Sequence, residues 1–260
     1  MGDMCKRLGN GLKAALGMFS RIPVGKVSWE KKDLCYMLLF FPLVGVLLGL
    51  CNQALAWLGE FLLLGDMFMG IILCLSPVFL TGGIHLDGFM DVGDALSSWK
   101  GKEERLEILK DSHVGAFAVI RLVCLLLLFA ASFSDMWMEA EAMRMMSLCF
   151  ILSRVLSALG LLYLPKAKKE GSLASFAGAA DEKVVTPVLL FYLAALAMGM
   201  TFLSPILGGA ALGTSLLLFL WYRHVAMKYF GGVTGDVNGY FLCLCEVGCA
   251  LVLALLARIV

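Results

Sequence analysis

The chain has 260 residues, of which 61% are hydrophobic and 16% charged, and its mean hydropathy is +0.90. A soluble domain of this size is nearer half apolar and a quarter charged, so the composition excludes one and indicates an all-α, polytopic integral membrane protein. A formal net charge of +1 provides no basic surface for a nucleic acid, and nothing divides residues 1–260, which read as one transmembrane domain.

Met1 to Arg21 is basic and intermittently apolar, with Leu8, Leu12, Leu16 and Phe19 near helical spacing. This predicts an amphipathic helix lying in the membrane interface, and no cleavable signal peptide is evident. About seven segments then approach the ~20 apolar residues that span a hydrocarbon core. They run over 34–58, 61–81, 114–134, 145–164, 184–203, 205–222 and 239–260, the fifth and sixth forming a hairpin at Ser204-Pro205. Lys and Arg fall on alternate connections: Lys6 to Lys32 in the N-terminal arm, Lys100 to Lys110, Lys166 to Lys183, and Arg223 with Lys228. The intervening connections are nearly bare of them, so the positive-inside rule predicts a cytoplasmic N-terminus and an outer C-terminus. Nine cysteines sit mostly inside apolar runs at irregular spacings, which supports neither a disulfide framework nor a zinc site.

The longest connection, 82–113, carries the most informative residues. Within His85-Leu-Asp-Gly-Phe-Met-Asp-Val-Gly-Asp, the carboxylates Asp87, Asp91 and Asp94 stand at i, i+4 and i+7. On a helix they share roughly 60° of arc. Three like charges on one stripe repel, and a divalent cation between them is the economical reason to keep them; Mg²⁺ suits hard oxygen ligands and phosphate partners. Gly82-Gly83 and Gly88 weaken a helix but let a backbone or ligand come close. His85 points roughly 160° away from Asp87, so it is read outside the metal sphere, either orienting a loop or acting as a base. After a break at Ser97–Gly101, a short charged helix is predicted from Lys102 to Lys110.

Lys110-Asp111-Ser112-His113-Val114-Gly115 reads as the start of the third span, with Asp111 and Ser112 as caps. The N–H groups there make an anion site, and Asp111 can give the metal a fourth oxygen. Gly231 to Gly239 holds four glycines in nine residues, with Thr234, Gly235 and Asp236 among them. Such a loop can turn its N–H groups into a phosphate nest, with positive φ at Gly235. Arg121, Arg154 and Glu246 are ionisable groups inside predicted spans, where charge is costly; Arg154, after Ser153, and Glu246 are the stronger site candidates, whereas Arg121 can snorkel. His224 beside Arg223 reads as an interfacial anchor.

Taken in order, Ser20–Val24, Thr81–Asp94, Ile108–Gly115, Ser153-Arg154, Gly231–Gly239 and Glu246 resemble the cobalamin synthase family, the adenosylcobinamide-GDP ribazoletransferases. The resemblance covers essentially the whole chain, departing at Ala95 and Ala118, where the family has Gly. It implies a membrane enzyme, and the Lys/Arg asymmetry puts the carboxylate stripe on the cytoplasmic side of the cell membrane. The 3′-hydroxyl of α-ribazole, or of its 5′-phosphate, attacks adenosylcobinamide-GDP and GMP leaves. Mg²⁺ is the implied cofactor, held by Asp87, Asp91 and Asp94 with Asp111 or Asp236 completing the sphere. One of Asp87, Asp91, Asp94 or Asp111 takes the proton. His85, Lys110, Ser112, Gly115, Arg154, Thr234, Gly235 and Glu246 are then expected to hold substrate. Oligomeric state stays open, a homo-oligomer included. A CDP-alcohol phosphotransferase would continue Asp-Gly-x-x-Ala-Arg, and here Asp87-Gly88 runs on to Asp91-Val92 instead. A polyprenyl transferase would carry a second Asp-rich repeat, and a transporter would put its charges at the bilayer midplane in paired broken helices.

Overall fold

The computed structural model describes residues 2–167 and 178–259, so Lys168 and Lys169 lie outside the described residues. In chain order, α1 (Gly2–Phe19) leads through a 3-10 turn to α2 (Met37–Phe61), α3 (Asp66–Thr81), α4 (Ile84–Ser97) and α5 (Lys102–Ile108). Then come α6 (Ala116–Met136), α7 (Ala140–Tyr163), α8 (Glu182–Leu203), α9 (Pro205–Val225), a π-helical turn (Ala226–Phe230) and α10 (Gly235–Ala257). No named strand occurs among the described residues. Six helices are long and apolar enough to cross a bilayer, and α3 with α4 makes a seventh if that bent pair is one span. The fold is an all-α, polytopic membrane bundle.

Most boundaries follow from local chemistry. Ser204 ends α8 and caps α9, its Oγ accepting from Leu207 N at 3.4 Å, with Pro205 in the first turn where a missing N–H is harmless. The second span is shorter than its apolar run predicts, starting at Asp66. The last begins at Gly235, four residues earlier than the glycines suggest, because Thr234 Oγ1 accepts from Val237 N at 3.1 Å and offsets their low helix propensity.

Between α3 and α4 the chain turns by 96°. Gly82 and Gly83 are both left-handed, at φ 70° and 76°, a pair of conformations that costs residues with a Cβ. α4 therefore runs across one end of the bundle, packed on α10 and α6.

Contacts between connections sort the two ends. Arg21 N donates to Leu80 O at 2.7 Å, Asp181 N to Cys35 O at 3.1 Å and Val233 N to Pro165 O at 2.8 Å. The N-terminal arm and the Lys/Arg-rich connections thus share one end. At the other, Trp137 Nε1 donates to Asp66 at 2.8 Å and Arg258 pairs with Asp135 at 2.6 Å. The start of α2 and the end of α10 thus lie at opposite ends of the bundle.

α7 and α10 form the centre. Gly45 and Gly49, one turn apart on α2, meet α7 so closely that a Cβ would stand 2.7 Å from Ile151 Cα and 2.9 Å from Ser147 Cβ. Small residues at that spacing let membrane helices pack backbone to backbone. Polar links add direction: Asn238 Nδ2 donates to Ser157 Oγ at 2.7 Å, and Tyr222 OH donates to Asn238 Oδ1 at 3.2 Å. All nine cysteines are unpaired thiols. α1 lies along α2 with Ala14 and Ala15 fully buried.

Candidate active site

The 14 residues of α4 divide by face. Phe89, Val92 and Ala95 are buried, whereas Asp87 is exposed and Asp91 and Asp94 are half-buried along the opposite side. α10 brings a fourth carboxylate. At Gly88 an added Cβ would stand 2.7 Å from Asp236 Cα, and at Gly239 one would stand 3.0 Å from His85 O. The two glycines let α4 and α10 cross at backbone contact, which carries Asp236 into the stripe. Spacing alone does not reveal this role, since each glycine acts on the other helix. Burial, then the charges of Asp87, Asp236 and Asp94, push the Asp91 carboxyl up to about 7. Asp111 is not among the charges acting on Asp91. Crowded, all-oxygen donors of this kind fit a divalent cation, which removes their repulsion. As the side chains stand, no three His, Cys, Asp or Glu among the described residues converge tightly enough to enclose an ion.

Asp94 has a second task. Its Oδ2 accepts from Gly115 N at 2.5 Å and its Oδ1 from Ala118 N at 2.9 Å. The start of α6 is therefore capped across 21 and 24 residues of chain, and the N-cap position is Gly115. This corrects the assignment of the cap to Asp111 and Ser112: the anion at this helix N-terminus is Asp94 itself. Asp111 instead accepts from His113 N at 3.0 Å and meets His113 Nδ1 at 2.6 Å, contacts that hold its carboxyl below the usual range. Lys110 pairs with Glu107 at 2.7 Å, and Ser112 is exposed. Asp94, Ser97, Ser98, Asp111 and His113 line one open groove, so Asp111 stays beside the stripe without joining it.

His85, Arg154 and Glu246 form a separate group beneath α4. Arg154, fully buried on α7, ion-pairs with Glu246 of α10, and its Nη1 also donates to Phe150 O and Ser153 Oγ, each at 3.0 Å. Its Nε and Nη2 have no partner, nor does His85 Nε2, which is buried from above. These groups share a cavity of about 30 Å³ with Thr81, Leu125 and Cys243. That is room for one or two waters, which would satisfy the orphaned atoms. His85 thus faces away from the carboxylates, as its helical angle requires.

In the glycine loop, positive φ falls on Gly231 (73°) and not on Gly235, which is the exposed first residue of α10. Thr234 caps that helix, and its hydroxyl reaches Asp236 Oδ2 at 3.5 Å.

A family model described as Cobalamin-5-phosphate synthase matches residues 11–254. The chain is 40% identical over 247 residues to a protein of Lachnoclostridium phytofermentans named adenosylcobinamide-GDP ribazoletransferase, with 94% of each chain covered. Proteins of the same name from Clostridium perfringens and Geobacillus kaustophilus are 36% and 30% identical. These matches cover 90% of this chain in both cases, and 93% and 91% of theirs. No solved structure matches.

Proposed function

The chain belongs to the Cobalamin-5-phosphate synthase family, and from that membership we propose that it joins α-ribazole, or α-ribazole 5′-phosphate, to adenosylcobinamide-GDP with release of GMP. The observation that carries the reading is the gathering of Asp87, Asp91, Asp94 and Asp236 at the Lys/Arg-rich end of a membrane bundle. Phosphoryl transfer asks a protein chiefly for positioning and charge neutralisation, and this cluster supports both.

The 3′ oxygen of the ribazole forms a bond to the phosphorus attached to the cobinamide arm, and the bridging bond to GMP breaks, GMP keeping the electron pair. The attacking hydroxyl's proton passes to a carboxylate of the cluster. Asp87, Asp91, Asp94 and Asp236 would hold Mg²⁺, which supplies neutralisation of charge on the transferring group. Asp94 fixes the α6 N-terminus against α4, so the floor of the groove and the carboxylates keep one geometry. Product formation then depends on the acceptor lying in the groove between Asp94 and Asp111.

Release of GMP from adenosylcobinamide-GDP should require a ribazole acceptor, stop with EDTA and resume with Mg²⁺. No release with either acceptor refutes the transfer. Release indifferent to EDTA removes the metal and leaves the transfer standing.

The excess of Lys and Arg at the carboxylate end supports a cytoplasmic site in the cell membrane. Reporters fused after Lys100 and after the C-terminus should therefore respond on opposite sides. Both responding on one side would refute an odd number of crossings.

A further inference from the structure

The short helix α5 packs on the π-helical turn that ends α9, joining residues more than a hundred positions apart. The Arg105 guanidinium lies 4.9 Å over the Tyr229 ring, and Lys228 Nζ lies 5.1 Å from the same centroid. Lys102 completes the group: its Cδ is 3.8 Å from where a Cβ on Gly231 would stand. Glu104, one of three acids on α5, is turned back onto Gly101 N at 3.1 Å.

Among the described residues, none of these three cations has a carboxylate partner. Arg105 Nε is buried with no hydrogen-bond acceptor. Cations brought together without counter-charge repel, and an orphaned buried donor adds to the unfavourable free energy. An anion with several acceptor oxygens relieves both.

The loop they surround is held firmly. Gly231 is left-handed at φ 73°, and a Cβ on Gly232 would stand 2.8 Å from Ala167 Cα. Val233 is hydrogen-bonded on both sides, its N donating to Pro165 O at 2.8 Å and its O accepting from Ala167 N at 3.1 Å. Three residues later comes Asp236. One short rigid loop therefore has cations at its start and the carboxylate cluster at its end. A π-helical turn leading into it fits a site, since such turns recur at functional positions.

We propose that Lys102, Arg105 and Lys228 form a binding site for a phosphate ester. Resting on the transfer reading above, the ester is the nucleoside diphosphate part of the donor: the carboxylate end takes the phosphoryl group that moves, and the cation end takes the phosphate that leaves with the nucleoside. The same chemistry would suit an anionic lipid headgroup, and the two sources are separable.

The test uses the full chain in phosphatidylcholine nanodiscs, with GDP as the probe and neither acceptor nor Mg²⁺ present. Arg105→Gln with Lys228→Gln should weaken GDP binding by about tenfold or more. Arg105→Lys with Lys228→Arg should restore most of it, while guanosine binding stays unchanged in both. Nanodiscs containing phosphatidylglycerol identify the source. Competition with GDP in the wild type alone would assign the site to a headgroup, and none would assign it to the nucleotide. GDP binding equal in wild type and the Gln variant, with no phosphatidylglycerol effect in either and unchanged melting, overturns the site. A protein that binds GDP through these cations yet releases no GMP keeps the site and loses the reaction.

Discussion

Asp91→Asn should lower GMP release by about 10³-fold or more, some 4 kcal/mol of transition-state stabilisation, while leaving the protein no less stable. Asp91 is half-buried and crowded by Asp87, Asp236 and Asp94. Its amide analogue removes one charge from the crowd, so melting measured in EDTA should stay constant or rise. Asp94→Asn should be equally inactive for a different reason and should also melt earlier. Both Asp94 oxygens accept backbone N–H groups, and an amide turns a donor toward one of them. The loss of that cap is worth about 0.5–2 kcal/mol. Release within a few-fold of wild type for Asp91→Asn, or identical melting for both variants, would sink this division of labour.

Glu246→Ala carries the second large effect, on stability rather than rate. It strands the fully buried Arg154 charge, two of whose nitrogens already lack partners. Removing one partner of a buried pair costs about 3–5 kcal/mol, whereas replacing both by apolar residues is often neutral. Thermal unfolding in detergent should therefore rank Glu246→Ala far below wild type and the double variant Arg154→Met/Glu246→Leu close to it. Equal melting of all three would mean the pair does not hold α7 to α10. The double variant also separates structure from substrate contact. If it is folded and active, Arg154, Glu246 and the His85 above them are framework; if it is folded and inactive, they touch substrate.

What could be read from the sequence was whatever repeats locally. Asp87, Asp91 and Asp94 share a face because helical period is a property of one segment, and the break at Ser97–Gly101 and the turn at Ser204-Pro205 are likewise local chemistry. The opposite direction of His85 follows from the same angle. What its ring looks into does not, since Arg154 and Glu246 arrive from helices far along the chain. Asp94 as the cap of α6 is hidden for the same reason, since Asp111-Ser112 is the nearer and more usual capping pair. The glycines of 231–239 serve different ends: Gly239 marks close approach to α4, Gly232 close approach to Ala167 and Gly231 a left-handed turn, and α10 starts before the last of them. Lys102, Arg105 and Lys228 had no common signal, being joined only by packing of α5 on the π turn.

The elbow at Gly82-Gly83 bears on the lipid as well as on the chain. α3 has 16 residues, which gives it a length of about 24 Å, against ~30 Å of hydrocarbon in an ordinary bilayer. Its neighbours are longer, and thinning of the lipid beside α3 by several ångströms is one way to keep the ends of both wetted. The dip falls where α4 turns across the bundle. Such a dip would bring headgroups and water toward the carboxylates, so that a large water-borne molecule could meet them without entering oil. Membrane thickness would then bear on access, through the bend that one pair of left-handed glycines allows.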